Sequence, residues 1–441
     1  MIPANLKFQS KVESAPARRY LTQIQPQGGS SFSPSDTITI NIPTRNNTAL
    51  IPSESYLRGT LTLSCGTANA TAATFESAGI HGFIQRIRVF HGSNLLEDID
   101  NYSQLAKILY DFQASDDTVK GRLAVTSATN PQYNTISGTI VRGVNRGATS
   151  GVTTAGTTVP FAINLVSMVG ALAGDKYLPL WEMTAAPLRV EIVLKASVVT
   201  SMMSLAAATT VSQTFAVTGV NYCGEFLELP DSAVSAIKAG SSSPMQMVLP
   251  SFRSYTNSAA ITTAGTQVSM AIPAKFSSLK SIFVATRTSI GADGLYPNSH
   301  CKYGLTSYNF RVGSEVLPSS APTIVPEFYS EAVKCFGSLA DLSLQPSIDL
   351  ISYALDVPNT IASAGDASLL DSGSFVVGID MEVYSNADKS SIFAGTNTNN
   401  SDIFYNANFV SPSGTLTLIQ TAFASYDQVL VYESGVCYAR Y

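Results

Sequence analysis

The side chains able to do chemistry are few and scattered. The chain has three histidines, His81, His91 and His300, with no HxH, HExxH or His-x-x-x-His spacing that would bring two imidazoles to one metal ion. Each lone histidine is therefore expected to pack structurally. Glu97, Asp98 and Asp100 form the densest carboxylate cluster. They precede an amphipathic segment, where acidic groups would favour a helix N-terminus over acid–base catalysis. Asp116-Asp117 reads as a solvated loop, and the glycines of Gly291-Ala292-Asp293-Gly294 have the wrong spacing for a phosphate loop. No nucleophile elbow or dinucleotide fingerprint occurs. The five cysteines, Cys65, Cys223, Cys301, Cys335 and Cys437, are odd in number and lack a CxxC pair, so free thiols of a reducing cytoplasm are expected rather than a disulfide frame or zinc site. No catalytic, cofactor-binding or metal residue is expected. One group of a different kind remains: Lys7, Lys11, Arg18 and Arg19 stand against a single acid, Glu13, in the first thirty or so residues.

These residues sit in 441 residues of which only 13% are charged and 45% hydrophobic. An average globular chain is about 25% charged. Ser, Thr, Ala and Asn replace Lys and Glu, so strong helix formers are scarce and β-compatible residues plentiful. A neutral polar surface suits a protein packed against copies of itself, and a secreted or adhesive β-protein would share it. The net charge of −5 argues against a sequence-specific nucleic-acid binder. No apolar leader follows Met1, Phe161 to Gly174 is too short to span a bilayer, and the sequons at Asn46, Asn69, Asn101 and Asn399 read as chance.

Period-two alternation supplies the strands. Ile38, Ile40 and Ile42; Leu57, Leu61, Leu63 and Cys65; Ile87 and Val89; and Leu188, Val190, Ile192 and Leu194 each alternate with polar or small neighbours. In the second half Val268, Met270 and Ile272 do so, then Tyr308, Phe310 and Val312, and then Phe375, Val377, Ile379, Met381 and Val383, with Val429 and Val431 in a last strand. Each strand should have one wet and one dry face, as in an antiparallel sandwich. Three short helices are expected: about Asp98 to Ser115 with Leu105, Ile108, Leu109 and Phe112 on one face, Asp231 to Ala239 capped by Asp231 with Val234 and Ile237 inward, and about Pro326 to Phe336. Gly/Ser/Thr/Asn-rich stretches, roughly Gly121 to Pro160 and Ser385 to Ser401, read as exposed loops on the same edge of each sandwich.

The two halves repeat. Val89-Phe90-His91-Gly92-Ser93-Asn94-Leu95-Leu96 matches Phe310-Arg311-Val312-Gly313-Ser314-Glu315-Val316-Leu317, 221 residues on. Tyr102-Ser103 and Lys107 match Tyr329-Ser330 and Lys334 at a spacing of 227, which implies about six extra residues between strand and helix in the second copy. A repeat this long is a domain duplication, not a solenoid. The expected division is an arm, 1–34; a first sandwich, 35–230; a linking helix and loop, 231–243; and a second sandwich, 244–441.

Duplicated sandwiches of about 200 residues, with the junction Phe215 to Pro230, the helix from Asp231 and the reopening at Met245 to Pro250, resemble the double jelly-roll major capsid proteins of tailless membrane-containing phages, large eukaryotic DNA viruses, virophages and polinton-like viruses. The resemblance covers essentially the whole chain and rests on element order and length. It implies an all-β fold of two tandem eight-stranded jelly rolls with a few short helices. It implies no enzyme activity and no cofactor. It implies a homotrimer forming a pseudo-hexameric capsomer, neighbouring capsomers and minor capsid proteins as partners, an internal viral membrane beneath the shell, and a place in the virion after synthesis in the host cytoplasm. Lys7, Lys11, Arg18 and Arg19 would then face the inner surface or the membrane. The competing readings are a trimeric phage spike or receptor-binding adhesin, which should show fibrous repeats or a stalk; a two-domain cupin-type enzyme, which needs a His/Glu metal cluster; and a single-roll RNA-virus coat protein, which fits the length poorly.

Overall fold

A computed structural model of the chain describes residues 17–65, 73–75, 78–129, 133–134, 139–140, 157–196, 202–204, 213–241, 244–288, 298–337, 339, 346–357, 373–383 and 394–441. The first half contains β1 (Arg18–Ile24), β2 (Ser31–Phe32), β3 (Thr37–Ile42), β4 (Thr48–Cys65), β5 (Ala73–Phe75), β6 (Ile84–His91), β7 (Asn94–Asp100), α1 (Tyr102–Gln113), α2 (Asp116–Thr118), β8 (Tyr133–Asn134), β9 (Thr139–Ile140), β10 (Thr157–Ile163), β11 (Leu178–Pro179), β12 (Leu188–Leu194), β13 (Met202–Ser204) and β14 (Gln213–Glu228). After α3 (Asp231–Gly240) come β15 (Met245–Ile261), β16 (Thr266–Ile272), β17 (Leu279–Thr288), β18 (Leu305–Val312), β19 (Glu315–Leu317), α4 (Val325–Lys334), α5 (Leu350–Ala354), β20 (Val376–Asp380), β21 (Ile403–Phe409), β22 (Leu416–Glu433) and β23 (Val436–Arg440).

The duplication holds strand for strand. The first roll pairs β1-β14-β4-β10 in one sheet and β3-β12-β6-β7 in the other. The second pairs β15-β22-β17-β20 and β16-β21-β18-β19, the same order in the same positions. Eight strands in two facing antiparallel sheets make each half a jelly roll. The matched Gly-Ser turns are two-residue hairpins, closing His91 on Asn94 and Val312 on Glu315. Gly92 and Gly313 have φ of 59° and 60°, the left-handed conformation that the first central position of a type II′ turn requires.

The alternation reads through to burial. On β12 the inward Leu188, Val190, Ile192 and Leu194 are buried, while outward Arg189 and Glu191 pair with each other at 3.2 Å and Glu191 pairs with Arg88 at 2.9 Å. Ile38, Ile40, Ile42, Leu57, Leu61, Ile87, Val89, Val268, Met270, Ile272, Tyr308 and Phe310 are all buried. The side chains of Leu63 and Cys65, and most of the two expected decorating loops, lie outside the described residues.

Several expectations change. The strand through Val429 and Val431 is followed by β23, which is the last. β20 has no wet face: Val376, Val377 and Gly378 are all buried, because α4 packs over the side turned from the facing sheet, and Val383 lies beyond the strand and is exposed. The first helix begins at Tyr102, not near Asp98, because Glu97 to Asp100 continue β7 against β6. Asp231 is the first residue of α3 rather than its cap, and its carboxylate accepts the Asn47 side-chain amide. Ile237 faces outward at 38% exposure, since α3 buries only Val234. The starts of α1 and α4 are 223 residues apart, so the second copy carries no six-residue insertion; β19 stops early and the chain runs on without strand to α4. Tyr102 and Tyr329 thus occupy different turns of their helices. The segment expected as an arm to residue 34 contains β1, which pairs along its whole length with β14.

Candidate assembly surface and the junction between the rolls

The residues able to do chemistry do not converge. His81 lies buried with Nδ1 2.9 Å from the Tyr102 hydroxyl and Nε2 3.0 Å from the Tyr110 hydroxyl, and burial lowers its pKa to about 3. The His91 Nδ1 accepts the Cys437 backbone N–H at 3.0 Å, leaving Nε2 to face the Met183 and Ala186 carbonyls at 3.1 Å. His300 is fully buried in the second roll. Among the described residues no three His, Cys, Asp or Glu side chains group as metal ligands. Cys223, Cys301, Cys335 and Cys437 are free thiols, and burial pushes Cys301 and Cys437 up to about 12.

The Glu97, Asp98 and Asp100 cluster splits by strand pleat rather than serving a helix terminus. Asp98 points outward and takes Arg86 in a two-bond clasp, both at 2.6 Å. Asp100 accepts the Asn101 N–H at 2.8 Å and the Gln85 amide at 3.2 Å. Glu97 points inward, where it accepts the Ser167 hydroxyl and the Met168 N–H, and desolvation raises its pKa to about 7.

The folded chain thus holds the Glu97 proton more tightly than the unfolded chain, so its contribution to stability is present at low pH and is lost as pH rises from about 4.5 through about 7. His81 acts with the opposite sign, its stability being lost as pH falls below about 6.5 toward 3. Glu97→Gln keeps an acceptor for Ser167 and Met168 without a buried charge. Relative to the wild type it should gain stability between pH 5 and pH 8, by about 3 kcal/mol at most. Urea midpoints measured at both pH values check this, and parallel pH profiles for the two proteins would refute it.

The two rolls are tied by polar groups that neither sheet provides alone. Asn94 donates to the Cys437 carbonyl at 3.1 Å, the Gln428 amide donates to the Leu96 carbonyl, and the Ala185 N–H donates to the Gly435 carbonyl at 3.1 Å. Lys107, 2% exposed, extends from α1 to Asp111 at 2.6 Å, the Ser374 hydroxyl at 3.0 Å and the Gly373 carbonyl at 3.2 Å. Phe112 stacks on Phe336 at 4.6 Å between ring centroids. One continuous hydrophobic core includes both rolls. Sequence reading missed this junction. Lys107 lies off the apolar stripe of α1, and nothing local marks that side of the helix for burial.

Of the four basic residues predicted for an inner face, Lys7 and Lys11 lie outside the described residues. Arg18 and Arg19 begin β1. The Arg18 guanidinium sits 5.5 Å from the Tyr20 ring centroid, and Arg19 bonds Glu225 at 2.5 Å and Glu54 at 3.0 Å. Exposed large apolar side chains of the second roll include Leu350 and Ile351 on α5, Ile324 before α4 and Val316 on the edge strand β19.

Comparison with solved structures finds the same architecture over nearly the whole chain. The chain is similar to the VP54 protein of PBCV-1, fitted into a reconstruction of the virophage Sputnik, at 11% identity and a TM-score of 0.60, covering 99% of this chain and 100% of that one. It is similar to the mavirus major capsid protein at 14% identity and a TM-score of 0.59, covering 100% and 93%. It is similar to a chain of the Sputnik virophage at 10% identity and a TM-score of 0.60, covering 100% and 91%. No protein-family profile and no curated protein sequence matches. The chain has the double jelly-roll fold, and the solved chains that share it come from viral shells and virophage particles.

Proposed function

We propose that this chain is a major capsid protein, a structural and non-catalytic component of an icosahedral virion, that assembles as a homotrimer. The observation that carries this reading is the duplication itself: two rolls of identical strand order, fused by a buried polar and aromatic junction into one block. Three such chains around a three-fold axis place six similar rolls in a ring, a pseudo-hexameric tile that packs edge to edge into a shell. Closed symmetric assembly is the usual outcome for copies of one chain, and permanent interfaces above roughly 2,000 Å² favour apolar, weakly charged surfaces. The composition and the exposed Leu350, Ile351, Ile324 and Val316 fit that demand. The fold of the mavirus major capsid protein supports the same reading.

The finer assignment follows. The rolls are 35–230 and 244–441, joined through 231–243, with β1 added to the first roll and the arm shortened accordingly. Lys7, Lys11 and Arg18 face the inside of the shell, where an internal membrane would attract them at about 1 kcal/mol per basic residue. Arg19 is held by its two carboxylates instead. Neighbouring capsomers and minor capsid proteins are the other partners. Two-dimensional class averages of the purified protein in negative stain should show compact particles with a hexagonal outline and three-fold internal density. Two-lobed monomers would refute trimeric assembly, and elongated fibres would favour a spike or adhesin.

A further inference from the structure

A cavity of about 350 Å³ opens where the first turn of α1 meets both rolls, lined among others by Asn101, Ser103, Gln104, Lys195, Arg287 and Asn298. Its polar lining is under-partnered. Gln104 is 3% exposed and neither its amide oxygen nor its nitrogen has a partner. Asn298 is 1% exposed; its oxygen accepts from Ser103 at 2.8 Å and from Lys195 at 3.1 Å, while its Nδ2 has no partner. The Arg287 Nε and Nη1 are buried without an acceptor. Burial lowers the Arg287 pKa, opposed by the electrostatic pull of Tyr303. Among the described residues no carboxylate lines the cavity. Of the described acids adjacent in sequence to the lining, Asp36 accepts the Ser33 N–H at 2.7 Å and Asp100 accepts from Gln85 and the Asn101 N–H.

We infer that this cavity is a binding site for a small inorganic oxyanion of the phosphate class, held by Arg287, the Asn298 and Gln104 amides, and the amino-terminal turn of α1. Buried guanidinium N–H groups without an acceptor are costly, and a tetrahedral oxyanion supplies several acceptors to the convergent donors at once. The N-terminal end of α1 adds a favourable dipole. Lys195 contributes positive charge while holding the Asn298 oxygen, which turns the Asn298 Nδ2 toward the cavity. Because the lining comes from both rolls, with Gln104 from the first and Arg287 and Asn298 from the second, the bound anion also fastens their junction.

Thermal unfolding of the full chain in phosphate-free buffer tests this, with inorganic phosphate titrated against chloride at matched ionic strength. Phosphate at about ten times its half-saturating concentration should raise Tm by about 1–2 °C over chloride. Arg287→Gln should abolish the phosphate-specific shift. Gln104→Leu, which leaves the charges in place, should reduce it. Equal shifts with phosphate and chloride, or a full shift retained in Arg287→Gln, would overturn the site. If Arg287→Gln does not fold, a selenate soak of wild-type crystals decides: anomalous density beside Arg287 supports the site, and its absence rejects it.

Discussion

Ile192→Asp should abolish the recovery of soluble protein. Ile192 is fully buried at the centre of β12, opposite Ile38 on β3 and Ile87 on β6, and its side chain enters the space between the facing sheets of the first roll. The substitution removes a well-packed aliphatic group, at about 2–5 kcal/mol. It also places a carboxyl between the packed sheets, and holding it neutral at pH 7, about three units above its ordinary pKa, costs about 4 kcal/mol. The combined cost reaches or exceeds much of the about 5–15 kcal/mol that stabilises a typical domain. Ile192→Val, by contrast, should cost about 1 kcal/mol. Soluble yield and circular dichroism at matched expression compare the two, and a normal yield and melting point for Ile192→Asp would show that the β12 register is wrong.

Lys107→Met should destabilise the protein by about 3–5 kcal/mol, because it leaves the Asp111 carboxylate buried at the junction without its cation. The Ser374 hydroxyl still donates to Asp111 at 2.7 Å, but a neutral donor does not replace an ammonium. Replacing both partners with apolar groups of similar size removes the uncompensated charge, so Lys107→Met/Asp111→Leu should lie within about 1–2 kcal/mol of wild type. Urea unfolding of the two single variants and the double variant gives the coupling energy directly. If the double variant is as unstable as Lys107→Met, the ion pair is not the source of the loss. The site matters because Lys107 reaches Gly373 and Ser374 of the second roll from a helix of the first.

The repeat partner of Lys107 shows how far a sequence comparison reaches. Lys334 aligns with Lys107 by sequence at a spacing of 227, but the two helices start 223 residues apart, so Lys334 falls one turn later in α4, where it is 41% exposed and pairs with Glu331. The two lysines have similar neighbours in sequence and opposite environments: Lys107 reaches Gly373 and Ser374 of the second roll, whereas Lys334 sits on a later turn of its helix beside Glu331. The carboxylates of β7 teach the same point at shorter range. Glu97, Asp98 and Asp100 read as one acidic cluster, but the pleat sends Glu97 inward to Ser167 and Asp98 outward to Arg86.

By itself the sequence determined the class of fold, the strands that alternate cleanly, the Gly-Ser hairpins and the duplication. Those features depend on local physics: a period of two for a pleated strand with one dry face, a positive φ that glycine tolerates, and element order preserved between copies. Only the tertiary structure decided which second faces become buried, as on β20 beneath α4, which polar side chains join the rolls, and where Arg287, Gln104 and Asn298 meet around a cavity. Periodicity reports how one segment divides its own two faces. It carries no information about a surface covered by a segment two hundred residues away, and burial at the junction is set by that cover.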